Sequence, residues 1–92
     1  MKVDFYATFR KVVGTKTVEF PLPEESTLRQ LIVEIVHRYP PLLQELLDNE
    51  GELNRHVQIF VNGRNTPFLE HGLDTILSPE DTVSLFPAVA GG

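Results

Sequence analysis

The residues with the clearest chemical potential are the last two, Gly91 and Gly92, reached through Phe86-Pro87-Ala88-Val89-Ala90. A glycine carboxylate at a chain end has no Cβ beside it. Such an end can thread a narrow slot in another enzyme and be attacked there, with backbone freedom that other residues lack. With glycine near 7% of residues, chance gives a Gly-Gly ending in roughly 0.5% of chains. The ending is therefore rare, and the rest of the chain decides its meaning.

Other chemistry is poorly supported. The chain has no cysteine, which removes disulfides, thiolate catalysis and cysteine-based metal sites. His37, His56 and His71 lack metal-ligand spacing and read as exposed or capping histidines, so no metal is expected. Ser26, Ser78 and Ser84 sit in no nucleophile motif, and no glycine-rich phosphate loop is present. The chain is not expected to be an enzyme by itself.

The elements that must position the tail are legible. Val3, Phe5, Ala7 and Phe9 alternate with Asp4, Tyr6 and Thr8, which predicts a half-buried strand. Gly14-Thr15 marks a turn. Thr17-Val18-Glu19-Phe20 predicts a second strand, stopped by Pro21 and Pro23, so the chain opens on an expected hairpin. Thr27 then reads as a helix N-cap with Gln30 at the capping-box position. Leu28, Leu31, Ile32, Ile35, Val36 and Tyr39 form one apolar stripe, opposite Arg29, Glu34, His37 and Arg38. Pro40 and Pro41 end this helix. Leu42, Leu43, Leu46 and Leu47 predict a short second helix, ending near Asn49-Glu50-Gly51.

The second half returns to strands. Val57-Gln58-Ile59-Phe60-Val61 runs into Asn62-Gly63, a tight-turn signal. A short strand is expected around Pro67-Phe68-Leu69. A turn or single helical turn follows at Gly72-Leu73-Asp74-Thr75, and a further turn at Ser78-Pro79-Glu80-Asp81. Thr82-Val83-Ser84-Leu85-Phe86 is the last strand. Strands on both sides of one main helix describe a two-layer α+β domain.

The bulk numbers bound the function. The chain has 92 residues, which fits one small domain over residues 1–92, with 87–92 as a tail. The net charge of −5, with only 8 scattered Lys and Arg, argues against nucleic acid as a partner. The stretch from Met1-Lys2-Val3-Asp4 lacks the apolar run expected of a signal peptide, and no run approaches the roughly 20 apolar residues of a membrane span. The expected placement is soluble and cytoplasmic, with no membrane partner.

Taken together, Arg10 and Gly14, "LPEESTLRQLI", "YPPL", "VQIFVNGR" and "GLDTILSPEDTVSLFPAVAGG" resemble the MoaD/ThiS sulfur carriers, which are ubiquitin-like β-grasp proteins. The resemblance covers essentially the whole chain. Its most specific parts are Val61-Asn62-Gly63, the acidic turn Glu80-Asp81 and the Phe86-to-Gly92 tail. It implies a mixed sheet of about five strands on one main helix, with a flexible Gly-Gly tail. It also implies a function: an E1-like adenylating enzyme of the MoeB/ThiF type uses ATP to adenylate the Gly92 carboxylate. The ATP belongs to that partner, and no cofactor is expected on this chain. A sulfur source converts the adenylate to a thiocarboxylate, which passes sulfur to an acceptor enzyme such as MoaE or a cysteine synthase.

The pathway implied first is molybdopterin, with the chain as small subunit of molybdopterin synthase. Many such subunits carry two prolines before the tail, whereas Ala88 follows Pro87 here. The Pro-Ala-Val-Ala-Gly-Gly ending and "LNRHVQIFVN" also resemble CysO-type carriers for cysteine synthesis. Some relatives modify other proteins through the terminal glycine.

In the implied arrangement the first, last and third long strands are neighbours. Alternation then puts Phe5, Ile59 and Leu85 toward the helix, and Tyr6, Phe60 and Phe86 on the open face beside the tail. This aromatic row reads either as cross-strand pairing or as a docking patch with Pro87, Val89 and Ala90 for the two partner enzymes. Glu24, Glu25, Glu45, Asp48, Glu50 and Glu52 read as solvated surface, with steering onto a basic activating enzyme as the functional alternative.

Overall fold

The computed structural model describes residues 1–66 and 69–87. Five strands form one sheet: β1 (Lys2–Phe5), β2 (Thr17–Glu19), β3 (Gln58–Val61), β4 (Arg64–Asn65) and β5 (Thr82–Phe86). Their spatial order is β2-β1-β5-β3-β4. β1 and β5 run parallel, with Phe5 opposite Leu85, and every other pair is antiparallel. The last strand is thus the centre of the sheet, inserted between two strands laid down before it.

The helices are α1 (Ala7–Val13), α2 (Leu28–Arg38) and α3 (Leu43–Leu46). α2 is the main helix. The Thr27 hydroxyl accepts from the Gln30 N–H at 3.2 Å, and the Gln30 side-chain oxygen accepts from the Thr27 N–H at 2.8 Å. This reciprocal capping box fixes where the helix begins. Its stripe lies on the sheet, with Leu28, Leu31, Ile32 and Ile35 all buried. Each such side chain contributes about 1.5–3 kcal/mol by leaving water. Val36 and Tyr39 pack at the margin of the core. A 3-10 turn, Pro40–Leu42, takes over where the two prolines remove helical N–H donors, and it leads directly into α3. Phe5, Val3, Ile59, Val61, Val83 and Leu85 face α2 from the sheet.

The opening differs from the simple hairpin expected. β1 and β2 do pair antiparallel, with Val3 opposite Val18, but residues 7–13 between them form α1 rather than the end of a longer strand. The chain leaves the sheet at Ala7, whose φ of 52° is incompatible with extended strand. Phe9 is buried from the helix, 1% exposed. An inward Phe at that position satisfies a strand pattern and a one-turn helix pattern alike, so alternation could not separate them. Gly14 caps α1 with φ 92°, its N–H donating to the Arg10 carbonyl at 2.8 Å. That left-handed C-cap is the structural form of the Gly14-Thr15 turn.

The second half contains a short strand, β4. It occupies Arg64–Asn65, directly after the Asn62-Gly63 turn. Pro67 and Phe68, at its expected position, lie outside the described residues. Asn62 and Gly63 have φ of 51° and 84°, the two left-handed positions of the tight turn their types predict. A 3-10 turn, Gly72–Asp74, forms where a turn or single helical turn was expected. No helix among the described residues is long and apolar enough to cross a membrane.

Candidate functional site: the aromatic face beside the chain end

Three aromatic side chains meet on the open face of the sheet. Phe86 ends β5, Phe60 lies in β3, and Tyr6 follows β1 at the entry to α1. The Tyr6 N–H donates to the Leu85 carbonyl at 3.2 Å, carrying the parallel ladder one residue past β1. Tyr6 is thereby set beside the end of β5. Its ring stacks on Phe86 with centroids 4.3 Å apart and planes 9° apart. Phe60 meets Phe86 edge-on, at 5.4 Å and 75°. Each such pair is worth about 0.5–1.5 kcal/mol beyond its burial. All three rings are half-buried, so part of each remains open to a partner.

Among the described residues, the strand positions around the cluster on this face are polar. Register places Lys2, Asp4, Thr17, Gln58 and Ser84 on it, and the Thr17 hydroxyl donates to the Asp4 carboxylate at 2.6 Å. The aromatic cluster is therefore a compact apolar spot among these polar positions, at the end of β5. Pro87, half-buried, is the first residue beyond β5. Val89, Ala90, Gly91 and Gly92 lie outside the described residues.

The structure adds Lys16 to the site. Its ammonium sits 5.3 Å from the Tyr6 ring centroid, a cation–π contact on the outer rim of the cluster. The Phe5 N–H donates to the Lys16 carbonyl at 2.6 Å, which holds Lys16 across from the end of β1. No periodicity marks Lys16, because its position depends on how the chain returns after α1.

The cluster depends on β5 keeping its register, and the far end of that strand is pinned. The Asn62 side-chain N–H donates to the Asp81 carboxylate at 2.8 Å. The Thr82 N–H donates to the Asn62 side-chain oxygen at 3.0 Å, and the Asn62 N–H to the Thr82 carbonyl at 2.9 Å. The second Asp81 oxygen accepts from the Ser78 N–H at 2.7 Å. Tight turn, acidic turn and strand start are thus tied in one network. A slip of one residue would turn Phe86 inward and Leu85 outward.

His37, His56 and His71 are exposed. Among the described residues no group of three or more His, Cys, Asp or Glu converges as a metal site would need.

The chain is similar to several known proteins over most of its length. The chain is 36% identical over 92 residues to small archaeal modifier protein 3 of Haloferax volcanii, covering all of this chain and 98% of that one. It is 42% identical over 69 residues to a putative sulfur carrier protein of Archaeoglobus fulgidus, covering 75% and 77%. It is 37% identical over 68 residues to the sulfur carrier protein CysO of Mycobacterium tuberculosis, covering 72% of each. Among solved structures, SAMP1 of Haloferax volcanii superposes with a TM-score of 0.88 at 26% identity, over 100% and 98% of the two chains. A putative molybdopterin converting factor subunit 1 of Pyrococcus furiosus superposes with a TM-score of 0.76 at 34% identity, over 96% and 95%. The fold is the ubiquitin-like β-grasp, and the ThiS family model matches residues 3–92, so the chain belongs to the ThiS family of sulfur carriers and ubiquitin-like modifiers.

Proposed function

We propose that this protein is a sulfur carrier whose reactive group is the Gly92 carboxylate. One observation carries the reading: the Tyr6–Phe86–Phe60 cluster is the apolar spot of a polar face, and the chain leaves toward Gly91-Gly92 from that spot. A partner that grips the cluster brings the terminus within reach of its own active site.

The chemistry is divided between proteins. A Gly92 carboxylate oxygen attacks the α-phosphorus of ATP in an E1-like enzyme, and pyrophosphate leaves. A carboxylate is a poor electrophile, and the adenylate gives it a good leaving group. A hydrosulfide equivalent then attacks the carbonyl carbon and AMP departs, leaving a thiocarboxylate. This chain supplies the acyl group and the docking face and performs no catalysis alone. Tyr6, Phe60, Phe86 and Pro87 serve the docking, with Val89 and Ala90 lining the tail that enters the slot.

The favoured acceptor is a molybdopterin-synthase large subunit of the MoaE kind. The 34% identity to the Pyrococcus furiosus converting-factor protein supports it. A cysteine-forming acceptor is the alternative that the CysO likeness supports. A separate reading, conjugation of Gly92 to lysines of other proteins, is favoured by the full-length match to small archaeal modifier protein 3.

Intact mass spectrometry after incubation with the cognate E1-like enzyme, ATP and sulfide tests the carrier reading. The expected result is a species heavier by the difference between sulfur and oxygen, absent when Gly92 is deleted. Conjugated bands without that species would favour the modifier reading. Neither product would overturn both.

A further inference from the structure

The outer face of α2, on the side of the molecule away from the aromatic cluster, has a feature the carrier reading does not use. Val33 lies in the middle of the solvent side of the helix and is 53% exposed. It is the saddle between two open depressions. One, of about 410 Å³, has Leu22 and Pro23 as its apolar wall and Glu24, Glu25 and Glu34 at its edge. The other, of about 270 Å³, is lined mainly by apolar surface from Ile32, Val33, Leu47 and Leu73. Together they form one groove with an aliphatic floor.

The charge around this groove is one-sided. Outside residues 21–54 the chain balances its Lys and Arg against its Asp and Glu, so this stretch carries all of the net −5. Glu24, Glu25 and Glu34 stand on the lip of the larger depression, and Glu50 and Glu52 are the chain neighbours of Gly51, which lines the smaller one. The cation among the lining residues, Arg29, is occupied by Asp74 at 3.5 Å. Among the described residues no ion pair engages Glu24, Glu25 or Glu34. Close like charges repel, and a cationic partner relieves that repulsion while its apolar side covers Val33.

We propose that this groove is a second docking surface, and that its occupant is a basic amphipathic segment of a partner protein. Such a segment sets an aliphatic side chain on the Val33 saddle and Lys or Arg against the acidic lip of Glu24, Glu25 and Glu34. An acidic lip disfavours nucleic acid and anionic lipid. The groove lies on the helix layer and the aromatic cluster on the open sheet face, so both surfaces can be held at once. This proposal stands apart from the carrier reading.

A short helical peptide of leucine and lysine, with its leucine-and-glutamate counterpart as control, tests it by calorimetry and amide chemical shifts on the full chain. The lysine peptide should bind, more weakly as salt rises, with shifts centred on Val33, Glu34 and Glu25. Val33→Asp and Glu34→Lys should each weaken it by about tenfold or more. Glu25→Gly is the variant that guards against misfolding. Glu25 holds a φ of 65°, where glycine is at ease, so this variant should melt higher yet bind less. Phe86→Ala should leave the binding unchanged. Equal binding of the glutamate peptide, or shifts centred on Tyr6, Phe60 and Phe86, would overturn the proposal. Self-association that Val33→Asp abolishes would also overturn it, giving the groove to a second copy.

Discussion

The Tyr6 ring lies flat against the Phe86 ring, 4.3 Å between centroids and 9° between planes. One ring directly follows β1 and the other ends β5. Their contact exists only because β1 and β5 are parallel neighbours at the centre of the sheet. It places the two ends of the chain's first and last strands in a single surface.

Phe86→Ala should therefore act on binding more than on folding. Losing a half-buried ring and its stack costs about 1–2 kcal/mol of stability. Affinity for the E1-like enzyme should fall about tenfold or more, as for an aromatic anchor at an interface centre. Urea denaturation and calorimetry on the same preparation separate the two. Unchanged affinity would show that the row is cross-strand packing alone.

Asn62 and Asp81 should behave as a coupled pair. Asn62→Ala loses its side-chain bonds and also forces alanine into a left-handed backbone, for a total of about 2–3 kcal/mol. Asn62→Gly keeps the backbone at ease and should cost about 1–2 kcal/mol. A double-mutant cycle of Asn62→Ala with Asp81→Ala should show a coupling of about 1 kcal/mol. Strict additivity would mean that the 2.8 Å bond between them does not hold the two turns together.

Phe9→Ala tests the helix that replaces the expected strand end. Phe9 is buried under α1, and truncating a core Phe costs about 3–5 kcal/mol. Small domains hold about 5–15 kcal/mol in all, so the variant should melt much lower and lose a large share of its signal at working temperature. A shift of only a degree or two on thermal melting would contradict the observed burial.

Thr27→Ala removes the capping hydroxyl of α2 and should cost about 1 kcal/mol, with Thr27→Ser restoring most of it. The urea midpoint is the measurement. Equal midpoints for the alanine and serine variants would mean that the reciprocal bonds with Gln30 contribute nothing.

Local rules, which need only neighbours along the chain, are where sequence reading succeeded. Thr27 and Gln30 cap a helix because they are three residues apart. Asn62-Gly63 turns because both residues tolerate left-handed backbone. Strand alternation separated Phe5, Ile59 and Leu85 from Phe60 and Phe86 because a pleated strand leaves no other choice. The β-grasp resemblance then supplied the neighbour relations among strands, and the structure agrees with them.

The tertiary structure decided what depends on contact between distant segments. An inward Phe9 fits a strand and a helix equally well, and only the break at Ala7 resolves α1. Lys16 reaches the Tyr6 ring because the chain returns past β1 after that helix. Val33 lies outside the apolar stripe of α2, and it is the saddle between two depressions because Leu22 and Pro23 lie to one side of it and Leu47 and Leu73 to the other. The sequence by itself determined where α2 and the Asn62-Gly63 turn start and which side chains of β1, β3 and β5 go inward. The fold decided which aromatics touch and which carboxylates share a lip, because those are properties of distance in space, and chain order does not carry them.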